Sequence, residues 1–489
     1  MVSPHMAQRI SNADMKISAE TQFLIKFFSC FVLVIWSVAV QADIVLFALL
    51  TILLLLFQFC LKDITRRSVL FAFSVAFFVF LVGREFLEVY LNIEPDTRFS
   101  EQTNRHLYLS LLMSIISIWS AFYFFTKKHT TNSFEGTSSF SLYRNVLQKL
   151  SLVSFYISMP FVIIVNYFIS QYVSKLGYYA YYTDFSELLI NNTLLYAMSK
   201  MDIVCDVSFC TFLATLPSKK RFTIPCISYF LILLSSIGTG QRSTLILGLM
   251  LLFVFITYMQ SLSPEAKWIP RKIGLYVLIA IPALALFSSF WGQKRFGDEY
   301  KRQSITEEFT AFFYNQGVTS YVVKRAYEYE GLIPDQIYTS EFLYSGLPAI
   351  LSGKEVIHGN NIEHATKGNS FTHALGYIVL GDAYLAGAGT GSSYIAELYF
   401  DFGYFGIIIG SILYGWLLAL FYVHSRSRHI FIRALLFIVF TRILWACRAS
   451  FTGFLSYAFS PITILTLLVL FGLSSLISRR SSTSHLGVQ

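Results

Sequence analysis

The stretch Ser235–Leu247, SSIGTGQRSTLIL, sets an apolar run on either side of a glycine-rich turn and one arginine. Arg242 is the single charged residue between Arg221 and Glu265. Runs of about 20 residues with almost no charge are what a helix needs to cross a bilayer core of roughly 30 Å. Gly238-Thr239-Gly240 marks a turn between two such helices. Ser243 and Thr244 suit the opening of the second, where a hydroxyl caps exposed N–H groups. The stretch therefore reads as two membrane helices joined tightly on one side.

The same pattern fills the chain. Of 489 residues, 55% are hydrophobic and 13% charged, with mean hydropathy +0.59, whereas soluble domains carry about 25% charge. The reading is an all-α polytopic membrane protein, since the short alternating segments of a β-barrel are missing. About twelve transmembrane helices are predicted, at 23–40, 43–61, 69–91, 107–125, 151–172, 194–216, 222–238, 243–260, 273–291, 393–423, 430–447 and 455–478. The tenth is long enough to be tilted or broken. The first reads as a retained helix rather than a cleaved signal. The chain then divides into an N-terminal segment 1–22, helices one to nine over 23–291, a large loop 292–393, helices ten to twelve over 394–478 and a tail 479–489.

Charge orients the bundle. With the N-terminus in the cytoplasm, twenty lysines and arginines, from Arg9 to Arg480, fall on the inner side. Five (Arg98, Arg105, Lys175, Arg242 and Arg448) fall in short outer segments. The positive-inside rule then puts both termini in the cytoplasm and the large loop outside. Much of the net charge of +9 is thus a topology signal and calls for no nucleic-acid partner. The six cysteines lack metal or redox spacing. No metal or cofactor is expected.

Cations on the outer side run against this rule and become candidates. Arg242 lies where a helix N-terminus favours anions. Lys294 and Arg295, in FWGQKRFGDEY (Phe290–Tyr300), form a second basic pair at a membrane edge, suited to a phosphate or diphosphate. FTRILWACRASF (Phe440–Phe451) carries Arg442 and Arg448, six apart and on different helix faces. Arg448 is the better anion ligand, and Arg442 has the alternative of pairing with an acid. In GREFLE (Gly83–Glu88), Arg84 and Glu88 have the spacing of an internal ion pair.

The densest region is Gly368–Gly406, which holds His373, Tyr377, Asp382, Glu397 and Asp401 among many glycines. No Gly-Lys-Ser/Thr follows, so it is not a phosphate loop. His373 is the natural general base at neutral pH. Glu397, entering an apolar helix, is either paired with an outer arginine or held as a base. Tyr377 and Asp382 are supporting candidates. GYYAYYTDF (Gly177–Phe185) reads as an interfacial aromatic belt or a sugar-stacking surface.

GTGQRSTLILG, then SFWGQKRFG, a long outer loop, and GTGSSYIAELYFDFGYFGIIIGSILYG together resemble the Wzy oligosaccharide repeat-unit polymerases. The resemblance in layout covers most of the chain. It implies a fold similar to C-type membrane glycosyltransferases that needs no metal. It implies a bacterial inner-membrane enzyme working at the periplasmic face. Such an enzyme moves a growing glycan from one undecaprenyl diphosphate carrier onto a new lipid-linked repeat unit. It further implies that Arg242, Lys294, Arg295 and Arg448 hold diphosphate and that Glu397 stands at the family's polar position after Gly-x-x-Ser. A Wzz-type chain-length regulator is an implied partner. Two rivals share parts of this pattern: an O-antigen ligase, and a lipid-linked oligosaccharide flippase, which is expected to carry charges deep in its spans and repeat symmetry.

Overall fold

A computed structural model describes residues 31–127, 138–177, 188–189, 191–240, 242–269, 304–423 and 429–486. These residues are helical, with no strand among them. The main elements are α1 (Ile44–Lys62), α2 (Ile64–Tyr90), α3 (Glu101–Lys127), α4 (Ser138–Leu176), α5 (Met201–Ala214), α6 (Lys219–Ser235) and α7 (Arg242–Leu262). Then come α8 (Ile305–Gln316), α9 (Thr319–Glu328), α10 (Phe371–Leu380), α11 (Tyr394–Val423), α12 (Ile430–Trp445), α13 (Gly453–Ala458) and α14 (Pro461–Leu486). Among the described residues nine helices are long and apolar enough to cross a membrane: α1 to α4, α6, α7, α11, α12 and α14.

Nine of the twelve expected spans are therefore present. The expected span 273–291 lies outside the described residues, as does most of 23–40, whose described part is a helix over 31–39. The expected span 194–216 is not one helix. It is broken at Lys200 into Thr193–Ser199 and the fourteen-residue α5. The last span starts six residues later than expected. Pro461 lacks the N–H that would continue a helix inward and so opens a new one, leaving α13 as a separate turn. The long tenth helix is broken as expected. Gly403 sits at φ 62°, ψ −156° inside α11, a conformation essentially reserved for glycine.

Small polar pairs register the bundle. Ser114 on α3 bonds both the Tyr394 hydroxyl (2.6 Å) and Ser411 (2.8 Å) on α11. Ser154 meets Ser208 at 2.7 Å, and Gln148 donates to Thr215 at 3.0 Å, fixing α4 antiparallel to α5. The ends of α2 and α12 and the starts of α3, α11 and α14 share one end of the bundle, and the segment 304–393 packs onto that end.

Candidate functional site

Three ties fasten segment 304–393 to the bundle. The first is an ion network on α2. A π-helical turn at Phe78–Val82 precedes Gly83 and leads into the turn that carries Arg84, Glu85 and Glu88. Arg84 donates to Glu88 (3.0 Å) and Asp96 (2.7 Å). Its guanidinium lies between the rings of Tyr314 and Tyr321, 3.9 and 3.8 Å from their centroids. Beside it, Lys324 of α9 and Glu85 form a fully buried ion pair at 2.8 Å. Ser320 and Tyr108 also donate to Glu85, at 2.9 and 3.2 Å. Gly317, between α8 and α9, permits this approach. A Cβ there falls 2.5 Å from the Cβ of Arg84 and 2.8 Å from its backbone nitrogen. The expected Arg84–Glu88 pair is thus present, and Arg84 is fully engaged in holding the loop.

The second tie is Asp401 on α11, which accepts from the backbone N–H groups of Tyr338 (3.1 Å) and Thr339 (2.7 Å). The third is Glu397, one helical turn earlier. It is completely buried, and both carboxylate oxygens are occupied. Ser392 donates to Oε1 at 2.6 Å, and the Phe451 N–H donates to Oε2 at 2.8 Å. These partners are neutral. Of the two readings of Glu397, pairing with an outer arginine is therefore not what the structure shows.

Around Glu397 four discontinuous segments meet: the turn Tyr338–Tyr344, residues near Ser370, the entrance of α11, and the bend from Arg448 to Phe451. This junction contains Glu341, which the sequence motifs did not single out. Its carboxylate accepts from the side chains of Ser450 and Ser370 and lies within electrostatic reach of Glu397. Burial pushes the Glu341 carboxyl above the ordinary range, and the two serine hydrogen bonds draw it partly back. Only its place in the tertiary structure could have revealed it, since EFLY in isolation carries no motif.

Arg448 ends the 3-10 turn Ala446–Arg448, two residues before Ser450. It is half-buried and donates to the Gln316 side chain (3.2 Å) and carbonyl (3.4 Å) at the end of α8. It therefore stands between the ion network and the junction. His373 on α10 shares a hydrogen bond of 2.8 Å with the Tyr384 hydroxyl and stacks on His364 at 3.5 Å. Burial, with the neighbouring His364, lowers His373 to about 4, so it is neutral at pH 7. Tyr377 packs its ring on Tyr384, and Asp382 is exposed at the first residue of a short helix.

Arg442 lies apart from Arg448. Its guanidinium carbon is 4.2 Å from the Tyr457 ring centroid, and the Tyr457 hydroxyl donates to Asp206 of α5 at 2.8 Å. Asp202 sits one turn before Asp206. Neither aspartate was expected, because α5 read as part of a plain apolar span. His106 was missed for the same reason. It is buried on α3, stacks on Tyr327 and bonds the Tyr404 hydroxyl at 2.9 Å.

Arg242 is the first residue of α7, after Gly240 at φ 79°. Its turn is seated on α4, where Asn166 donates to Ser235 at 2.9 Å and Gly238 abuts Ser170. The Arg242 side chain, Lys294, Arg295 and most of the aromatic run 177–185 lie outside what the structure describes. Among the described residues no group of three or more His, Cys, Asp or Glu is placed to hold a metal. The bend Arg448–Phe451 carries a half-buried arginine and, three residues on, the N–H that binds the buried Glu397 carboxylate; an arginine suits an anion, and a carboxyl suits a proton.

Searches of curated proteins and of solved structures return no match. One family does match, over residues 21–481, and its description is O-antigen polysaccharide polymerase Wzy.

Proposed function

The chain belongs to the O-antigen polysaccharide polymerase Wzy family, and from that premise we propose that it is a glycosyltransferase of the bacterial inner membrane. It joins undecaprenyl-diphosphate-linked repeat units at the periplasmic face. The bundle has twelve spans, both termini in the cytoplasm, and segment 292–393 outside. What supports this reading most is the junction at the loop end, where Arg448 lies on the same short bend as Phe451, whose N–H donates to the buried Glu397.

In the mechanism, Arg242, Lys294, Arg295 and Arg448 hold the donor diphosphate and meet its growing charge as it leaves. A base on the loop side assists the acceptor hydroxyl. His373, neutral at pH 7, is one candidate, and the carboxyls of the junction are the other. Arg84 and Arg442 support the frame. The polyprenyl chains stay in the bilayer, and a Wzz-type regulator sets chain length from outside the active site.

The test is reconstitution of the purified protein with a lipid-linked repeat unit. A ladder of polymers is expected, and Arg242→Ala should leave only single units. Normal ladders from a well-expressed Arg242→Ala protein would sink its assigned role. Product formed only when a lipid A core acceptor is added identifies a ligase instead. Movement of the lipid across the bilayer without any product identifies a flippase.

A further inference from the structure

We propose that the loop helix Gly346–Ser352 lies in the membrane surface on the loop side of the bundle, with Ile350 and Leu351 among the lipid chains and Lys354 at the headgroup phosphates. The placement requires only that α14 spans a membrane, and it holds whether or not the chain polymerises glycans.

The depth of this helix follows from its backbone contacts. α14 opens at Pro461 and is apolar over Pro461–Arg480. Its exposed apolar residues Leu465, Leu468, Val469, Leu473 and Leu476 recur at helical spacing, as in a stripe that a span turns toward lipid. Phe459 stands two residues before that opening. Its carbonyl accepts from the Leu347 N–H at 3.3 Å, and a Cβ on Gly346 would fall 3.2 Å from the same oxygen. Gly346 sits at φ 60°, so the loop turns here on a residue that enters the left-handed region freely. The loop helix therefore begins at the level where a span leaves the bilayer. Its seven residues rise only about 10 Å, so none of it lies far from that level.

Its side chains suit the same level. Ala349 is fully buried against the protein. The next two residues face away from it: Ile350 is 65% exposed and Leu351 is 84% exposed. Leu351 is the most exposed large apolar side chain among the described residues. Leu343, just before the helix, and Phe459, which the helix touches, add further exposed apolar surface. A patch of this kind marks a protein or membrane contact. Here the neighbouring span supplies the occupant, because the exposed stripe of α14 is already covered by lipid. Tyr344 and Lys354 flank the helix, and the Lys354 amine lies 3.5 Å from the centre of the Tyr344 ring. Tyrosine rings settle at the headgroup boundary, and a lysine beside them reaches the phosphates.

The turn Tyr338–Tyr344 joins this helix to α11 and α13. Segment 304–393 is thus held in two ways, by polar ties to the helix ends and by lipid at Gly346–Ser352. An amphipathic helix sinks about 5–10 Å into the headgroup boundary. On the function proposed above, this anchor keeps the loop at the depth of a lipid-linked diphosphate.

The experiment uses the full-length protein, one chain per nanodisc of phosphatidylcholine and phosphatidylglycerol. Leu351→Cys is labelled with NBD, a fluorophore whose emission reports its surroundings. The unsubstituted chain, labelled in parallel, gives the background of the native cysteines. Glu363→Cys, at an exposed loop residue, is the aqueous reference. The label at 351 should emit to the blue of the label at 363. It should be quenched by lipids with a doxyl group near the carbonyls and sheltered from iodide, and the label at 363 should show the reverse. Iodide quenching at 351 equal to that at 363 overturns the proposal. So does shelter from both quenchers, which means that protein, and not lipid, covers the helix. Ile350→Cys repeats the measurement one residue away, so poor expression of one variant leaves the test standing.

Discussion

The ion network at Arg84 and the junction at Glu397 do the same mechanical task with opposite electrostatics. Both fasten segment 304–393 to the end of a membrane span. In the network every acid meets a cation: Glu88 and Asp96 meet Arg84, and Glu85 meets Lys324. At the junction two acids are brought together and held only by serines and a backbone N–H. A neutralised cluster is inert and holds the frame. An acid pair without a cation is costly, and a protein that needed only a tie could have used the neutralised kind present at Arg84. On the function proposed above, the network serves structure and the junction chemistry, and Arg448 reaches Gln316 at the end of α8.

The comparison breaks most visibly at Lys324. Lys324→Ala leaves Glu85 buried without its cation, which costs about 3–5 kcal/mol. The protein should lose most of its folded yield, read by thermal unfolding in detergent. An unchanged melting temperature would remove the structural half of the contrast. Arg448→Ala should do the reverse. Activity falls about 100- to 1000-fold while the melting temperature moves less than in Lys324→Ala, since the half-buried Arg448 donates to Gln316 rather than neutralising a fully buried acid.

Glu397→Gln should fall between the two. An amide keeps one acceptor but turns donors toward the Ser392 hydroxyl or the Phe451 N–H, at a cost of about 1–3 kcal/mol. Both stability and activity should drop, and calorimetry with the polymerisation assay measures each. Gly403→Ala strains a backbone at φ 62° by about 1–3 kcal/mol. It should shift α11 at Asp401 and be seen as faster proteolysis of the 334–345 segment. The smallest effect is on pH. His373, lowered to about 4 in the fold against 6.5 unfolded, is disfavoured when charged. Its contribution is complete above about pH 6.5 and is lost as pH falls toward 4. Hydrogen exchange in residues 359–388 should quicken over that window, and His373→Phe should flatten the response.

The spans were legible because apolar length and charge asymmetry are one-dimensional signals. Nine expected helices appear at their predicted places, though their ends differ, most at α4, which begins 13 residues before the expected 151. The break at Lys200 was not legible, because Thr193–Ala214 is as apolar as a whole span and Asp202 and Asp206 look like isolated intrusions until Tyr457 and Arg442 are placed against them. At the site, Arg448, Glu397 and His373 stood out as charged or titratable groups in unusual company. Glu341 did not, since its significance comes from Ser370, Ser450 and Glu397, all distant in sequence. Arg84 and Glu88 were readable as a pair because the helix itself sets their spacing.

The short helix α5 has a consequence for how the protein is made. Fourteen residues span about 21 Å, less than the roughly 30 Å of a bilayer core. Two of them are aspartates, each costing about 2.5–3.5 kcal/mol at the centre of an isolated inserting helix. Such a segment does not partition into lipid on its own as it leaves the ribosome. It settles only when α12 and α13 arrive with Arg442 and Tyr457, more than 200 residues later in synthesis. Cys205 and Cys210 report this event directly, being buried in the finished protein. A chain truncated before Ile430 should expose both to a membrane-impermeant thiol reagent, and the complete chain should protect them.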